Sequence, residues 1–552
     1  MEQKKIVLRI EGMTCEGCVM HVRKALQHAS GVIEVSNVRL QPGEAHVIAH
    51  SDFSENLLVS AVEQAGYRVV SLEPERDRCI LDTRESDGSY NLLILGGGSA
   101  AFAAAIRGVE LGARVVLINA GTIGGTCVNV GCVPSKTLIR AAEAHYRATS
   151  HRFDGIASTS RIIDFSWVIR QKDALIDTLR QAKYVDVLRE LDGVTFLDGW
   201  GRVVSPTAVD VDGHIIRAQR MIIATGASPA VPSIPGLVES GYLTSTTAFE
   251  LQELPESMIV LGGRYVALEC GQMFARFGTR VTILQRSGRI LPTEDPDLTE
   301  ALTGYLGEEG VEVVTGVRIR QVERDGGGYR LLVEADGQEA TFRAAQLLCA
   351  TGRRPNTAGI GLEELGVALR QDGAVIADTF LETTVLGIYA AGDVVGEPAY
   401  VYTAAYEGAL AAENVLTGNR RPRDYAVLPW VIFTDPQMAG VGLNEREAAE
   451  SGFVVDVATL PLHHIPRAIA AHDTRGFIKL LRERGTDQLV GARILAPEGG
   501  ELAMEVSLAL RYRIPVSDLA AMFHPYLTLS EGIKLAAQTF EKNVATLSCC
   551  AV

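Results

Sequence analysis

Residues 90–119 read YNLLILGGGSAAFAAAIRGVELGARVVLIN, and the fold of the chain turns on this stretch. A continuous apolar run, LLIL (92–95), leads into Gly96-x-Gly98-x-x-Ala101, an alanine-rich helical stretch, Leu111-Gly112 and a second apolar run. The first glycine permits a tight turn and the second lets a pyrophosphate approach the backbone. The small third residue lets helix pack on strand, and the helix N-terminus stabilises the phosphate charge. Residues 256–285, ESMIVLGGRYVALECGQMFARFGTRVTILQ, repeat this pattern without a gap. Each copy is later closed by Ala-Thr-Gly: Ala224-Thr225-Gly226 and Ala350-Thr351-Gly352. Two strand–helix–strand units of this kind predict two bound nucleotides and parallel sheets, because crossover helices impose that order.

The rest of the chain divides around this pair. Residues 1–70 read β-α-β-β-α-β, with strands at KIVLRI, VIEVSNVRL, EAHVIAH and YRVV and helices over 18–28 and 54–65. That order predicts a small ferredoxin-like domain. Residues 71–89 are charged and aperiodic, a linker. The nucleotide halves are expected over 90–235 and 236–358, with a central return over 359–424. A mixed α+β region follows over 425–545, and a short tail over 546–552. The predicted class is therefore α/β, with two Rossmann-like nucleotide-binding domains, an α+β domain and a leading βαββαβ domain.

Composition narrows the function. A net charge of −15 argues against nucleic acid or an anionic membrane as partner. No run of about 18 apolar residues occurs, and the start, MEQKKIVLRIEGMTC, lacks the apolar core of a signal peptide. The cytoplasm is the expected compartment, and in that reducing setting nine cysteines point to redox or metal chemistry. Six of them come in close pairs: Cys15 with Cys18, Cys127 with Cys132, and Cys549 with Cys550. Cys79, Cys270 and Cys349 stand alone.

The central pair lies in Gly124-Gly125-Thr126-Cys127-Val128-Asn129-Val130-Gly131-Cys132-Val133-Pro134-Ser135-Lys136. Two cysteines flanked by glycines at a helix start can close a disulfide, and the helix dipole with a nearby cation lowers thiol pKa there. The second nucleotide turn carries Arg264 where a glycine is usual, and its following strand ends at Gln285-Arg286. A carboxylate at that position would favour an unphosphorylated ribose, whereas Arg286 suits a 2′-phosphate. Arg286 as a solvated surface charge is the plain alternative. In the first unit the corresponding position is Asn119, whose amide can still bond a ribose hydroxyl.

GGGSAA, GGTCVNVGCVPSK, both ATG segments and Tyr389-Ala390-Ala391-Gly392-Asp393 resemble the pyridine nucleotide-disulfide oxidoreductase family over residues 90–545. The resemblance implies FAD on the first turn, NADPH on the second and dimerisation through 425–545. Gly96, Gly98, Ala101, Asn119, Gly125, Thr126, Lys136, Thr225, Gly226, Gly392 and Asp393 would hold FAD. Gly262, Tyr265, Ala267, Arg286 and Gly352 would hold NADPH, with Tyr265 covering the nicotinamide pocket. It also implies that Cys132 faces the flavin, that Cys127 is the exchanging thiol, and that Lys136 pairs with Glu269. An exposed helix carboxylate is the alternative for Glu269.

Disulfide-reducing members resemble one another in a C-terminal peptide whose histidine carries thiol protons. Here Tyr526 stands at that position in Tyr526-Leu527-Thr528-Leu529-Ser530-Glu531. A phenol with a pKa near about 10 is a poor base at neutral pH. His524 is out of register. The vicinal Cys549 and Cys550 can instead hold a soft cation. Gly12-Met13-Thr14-Cys15-Glu16-Gly17-Cys18 is similar to the heavy-metal-associated domain over residues 4–70, although a bare CxxC could also be a redox motif or half a zinc site. Tyr67 faces this motif in such domains, with simple packing as the alternative, and Met13 reads as a core anchor.

Together these parts resemble the branch of the family that reduces thiolate-bound mercuric ion. That resemblance implies Hg(II) as substrate, received as a thiol complex or from a mercury transport protein. Cys15, Cys18, Cys127, Cys132, Cys549 and Cys550 would be its ligands. It further implies that Tyr184, in Ala182-Lys183-Tyr184, and Tyr526 border the inner metal site. Tyr526 and the tail would come from the opposite subunit of a homodimer, so that the two chains share one active site. Two rival readings remain: an NADPH-dependent reductase of low-molecular-weight disulfides, tested with glutathione disulfide, and a metal-trafficking protein with a vestigial flavin core, dismissed by a yellow protein that NADPH bleaches. His463 and His464 are assigned no role.

Overall fold

A computed structural model describes residues 3–13, 16–29, 31–39, 43–50, 54–74, 90–335, 337–418 and 421–544. Cys15, Cys79, Cys549 and Cys550 lie outside the described residues.

The leading domain is a four-stranded antiparallel sheet in the order Val32–Arg39, Glu44–His50, Gln3–Glu11, Arg68–Pro74. Alternation along Glu44–His50 turns Ala45, Val47 and Ala49 inward. The helices Glu16–Gln27 and Asn56–Gln64 bury Val22, Leu26, Leu58 and Val62 against that face. The first helix starts two residues ahead of the expected Cys18, so Cys18 sits in its first turn. Met13 and Tyr67 pack on this core. The Tyr67 ring also covers Gly12, where a Cβ would stand 3.6 Å from it.

The first nucleotide sheet runs Val194–Asp198, Val115–Asn119, Tyr90–Leu95, His214–Ile223, with Ile388–Ala390 on the far side of the last of these. All of these pairs are parallel. Leu92, Leu93 and Ile94 are wholly buried, the continuous apolar pattern of a strand covered on both faces. One cover is the helix Ser99–Glu110, packed on Val401–Thr417 so closely that a Cβ on Gly408 would meet the Ala100 carbonyl at 2.0 Å. The second sheet, Leu243–Thr244, Gln346–Cys349, Ser257–Leu261, Arg280–Leu284, Glu312–Val314, is parallel throughout. The two Ala-Thr-Gly segments run into a ribbon, Ala227–Pro229 against Arg353–Pro355, that joins the two units.

The C-terminal region is a five-stranded antiparallel sheet, Trp430–Ile432, Gln437–Gly442, Leu489–Ala496, Phe477–Glu483, Val455–Pro461. Helices Gly499–Arg511 and Glu531–Gln538 share its core through Val506, Ala509, Ile533 and Ala536. Among the described residues no helix is long and apolar enough to cross a membrane.

Candidate active site

The short helix Gly125–Val130 carries Cys127, and Cys132 opens the long helix Cys132–Thr149. Gly124 and Gly125 adopt φ of 103° and 64°, the left-handed region that glycine enters freely. This brings the dithiol segment onto the first nucleotide turn: a Cβ on Gly125 would come within 2.6 Å of the Gly98 Cα. Gly96, at φ 134°, leaves no room for a side chain either, because a Cβ would meet the Ala224 carbonyl at 2.2 Å. A Cβ on Gly97 would strike the Asn119 side chain, whose amide donates to the Gly121 carbonyl at 2.9 Å.

Both cysteines are free thiols. The Cys127 thiol donates a hydrogen bond to the Cys132 sulfur, and this contact, reinforced by Lys136, outweighs burial and lowers Cys132 to about 7. The same contact, together with burial, pushes Cys127 upward. One thiolate is thus available near neutral pH beside one thiol, which is the asymmetry that ligand exchange needs.

Lys136 lies one turn along the same helix and reaches Glu269 Oε2 at 2.6 Å. Glu269 is only 7% exposed, and its Oε1 accepts from the Phe433 amide at 3.0 Å. Lys136 Nζ also stands 4.5 Å from the centre of the Phe433 ring. The pair therefore bridges the dithiol helix, the helix Tyr265–Arg276 of the second nucleotide unit, and the start of the C-terminal region.

Tyr265 begins that second helix. Its ring is stacked between Tyr400, at 6.3 Å, and Trp430, at 6.4 Å. The turn before it is tight, since a Cβ on Gly262 would meet the Ala350 carbonyl at 2.4 Å. Gly352 sits at φ 123° and Ala267 is fully buried. Arg286 is exposed at the end of Arg280–Leu284.

Tyr184 falls in a π-helical turn, Gln181–Val185, a distortion often met at functional sites. It packs edge-on against Phe102 at 4.8 Å, and burial together with the neighbouring Cys127 and Cys132 raises its hydroxyl pKa. Tyr526 is 56% exposed on the C-terminal region. His524, the displaced histidine, has both ring nitrogens engaged: Nε2 with Glu505 Oε1 at 2.6 Å and Nδ1 with the Met522 carbonyl at 3.3 Å. It pins the loop to its own domain instead of offering a free base.

Three residues that local sequence does not single out complete the site. Arg353 donates to Thr126 Oγ1 at 3.1 Å and to the Ala227 carbonyl, while its Nε is buried with no hydrogen-bond partner. Burial lowers its guanidinium pKa and raises that of the Asp393 carboxyl, 3.7 Å from Nε. Glu407 is buried and accepts from the Gly392 amide at 2.6 Å and from the Tyr425 hydroxyl, so it fixes the Gly392-Asp393 turn. Tyr402 reaches the Pro429 carbonyl at 2.6 Å and feels the Cys132 charge. By contrast, the acidic cluster Asp295, Asp297 and Glu445 is closed by Lys479, whose Nζ is 3.3, 2.5 and 2.6 Å from the three carboxylates.

Residues 90–408 match the pyridine nucleotide-disulphide oxidoreductase family, 428–537 its dimerisation domain, and 7–68 the heavy-metal-associated domain. Over 551 residues the chain is 42% identical to the mercuric reductase of Staphylococcus aureus, covering 100% of both. It is 44% identical to that of Shigella flexneri, covering 99% of each. The chain belongs to the mercuric reductase family. Among solved structures, it shares 30% identity and a TM-score of 0.74 with the copper(II) complex of RclA, an HOCl-induced flavoprotein disulfide reductase from Escherichia coli, covering 82% of this chain and 100% of that one. A mercuric reductase of this family uses FAD and NADPH, and the two nucleotide turns fit them. Both turns hold glycines that no side chain could replace without striking backbone, and beside the dithiol segment Arg353, bonded to Thr126, keeps a buried Nε without a hydrogen bond.

Proposed function

We propose that the protein reduces thiolate-bound Hg(II) to elemental mercury at the expense of NADPH. The observation that carries this reading is the Cys127–Cys132 pair pressed against the first nucleotide turn, with one sulfur near thiolate at neutral pH. FAD, held at the first turn by Gly96 and Gly98 with Gly125 packed on it, would supply the two-electron path from NADPH to the metal at the dithiol.

Every other task falls to side chains. Cys15 and Cys18 take the metal from small thiols or from a mercury transport protein. Cys549 and Cys550 pass it inward, and Cys127 and Cys132 hold it for reduction. Each transfer exchanges one sulfur for another at a soft cation, so no free ion forms and no step is steep. Lys136, anchored by Glu269, favours the Cys132 thiolate. Tyr184 and Tyr526 border the inner metal position and shield it from competing ligands.

The chain acts as a homodimer in the cytoplasm. Met504, Leu508 and Tyr512 are exposed along one helix of the dimerisation domain, and Met522 and the fully exposed Phe523 precede His524, which is tied to Glu505 of that helix. Such a patch implies a covering partner, and burying it between two copies carries Tyr526 toward the other subunit's dithiol. Reduction of a small disulfide is the weaker reading, because Tyr526 replaces the proton carrier and Glu505 holds His524. Mercury-dependent NADPH oxidation with release of mercury vapour tests the proposal, with glutathione disulfide as the control substrate.

A further inference from the structure

Arg264 departs from the glycine pattern of nucleotide turns, and its backbone at φ −109°, ψ −170° is ordinary extended chain that needs no glycine. It stands at the N-cap position of the helix Tyr265–Arg276, makes no side-chain cap, and sends its guanidinium to Glu397, Nη1 to Oε1 at 3.3 Å. The next residue, Tyr265, stacks on Tyr400, and the two hydroxyls lie 3.4 Å apart. Neighbouring side chains of one turn therefore grip two residues of one short segment. That segment leads from Gly392-Asp393 into the helix Val401–Thr417.

We infer that Arg264 and Glu397 form an electrostatic latch over the second nucleotide turn, opened when the NADPH pyrophosphate takes the guanidinium from Glu397. The inference rests on NADPH being the reductant. A single carboxylate at 3.3 Å, on side chains 54% and 83% exposed, holds the guanidinium weakly. A pyrophosphate at the helix N-terminus carries more charge and offers paired oxygens that match the guanidinium fork. The dinucleotide thus wins Arg264 from Glu397. Releasing Glu397 also loosens the segment that backs Tyr265 through Tyr400, so that pyrophosphate binding and nicotinamide entry are linked.

The test uses the full-length, FAD-loaded protein, with NADP+ and separately 2′-AMP titrated by calorimetry at low and high salt. FAD content and melting temperature serve as checks on folding. Arg264→Gln should weaken NADP+ by about tenfold, the loss of a charged hydrogen bond. Glu397→Gln should tighten it roughly two- to fivefold, the weight of an exposed ion pair. The double variant should match Arg264→Gln, and 2′-AMP, which has no pyrophosphate, should bind all four proteins alike. Unchanged NADP+ affinity in Arg264→Gln, no gain in Glu397→Gln, or an equal loss for 2′-AMP would each overturn the latch while leaving NADPH as reductant. Failure of the unaltered protein to bind NADP+ would overturn both.

Discussion

Gly125 and Gly98 meet backbone to backbone, with space for a Cβ on Gly125 closed off at 2.6 Å by the Gly98 Cα. This contact fixes the dithiol at the nucleotide turn. It joins the helix that carries Cys127 to the helix N-terminus that receives a pyrophosphate.

Gly125→Ala should therefore damage cofactor retention more than stability alone explains. A left-handed alanine costs about 1–2 kcal/mol, and the Cβ must also displace the Gly98 backbone. Gly112→Ala is the control, with φ 81° and nothing near its Cβ, so it carries the strain without the collision. FAD content after gel filtration should fall in Gly125→Ala and hold in Gly112→Ala.

In the reduced protein, alkylation of Cys132 by iodoacetamide should rise through a midpoint near pH 7 and level off above it, because only the thiolate reacts. Below that pH the sulfur is protonated and alkylation slows. Lys136→Met removes a cation that favours the thiolate, so the midpoint should move upward. A midpoint at the ordinary thiol value in the unaltered protein would contradict the assignment.

Lys136→Met also removes the counter-charge of the buried Glu269 carboxylate, leaving it the Phe433 amide, and should cost about 1–3 kcal/mol. Glu269→Gln keeps an acceptor for the Phe433 amide and should cost less. The double variant should recover part of the loss. Urea unfolding of the FAD-loaded protein measures all three.

The nucleotide units and the dithiol are legible in the sequence because their signals are local. The glycines of each turn mark positions where strand, turn and helix collide, and Cys127 to Lys136 spans little more than two turns of chain. Lys136 with Glu269, 133 residues apart, becomes readable only through family resemblance. Arg353 and Thr126 are 227 residues apart, and no periodicity connects them. Glu407 reads as one more helix carboxylate until folding buries it against the Gly392 amide. The ring stack of Tyr265, Tyr400 and Trp430 draws on three separate elements. His524 also needed the fold, since it lies in a loop and its partner Glu505 belongs to the helix Gly499–Arg511.

Leu508→Glu places a charge in the exposed stripe beside Met504 and Tyr512. It should give a monomer of normal fold and FAD content that has lost mercury turnover, the outcome required by the proposed sharing of the active site between two subunits. Light scattering and turnover measured on the same sample check this. A fully active monomer would show that each chain works alone.

The most direct measurement follows NADPH oxidation and mercury vapour together, with thiol-buffered Hg(II) as substrate, for the unaltered protein and for Cys132→Ala. Mercury release should keep step with NADPH loss in the first, and neither should occur in the second. Undiminished turnover in Cys132→Ala, or NADPH consumption without mercury vapour in the unaltered protein, would contradict the proposed function.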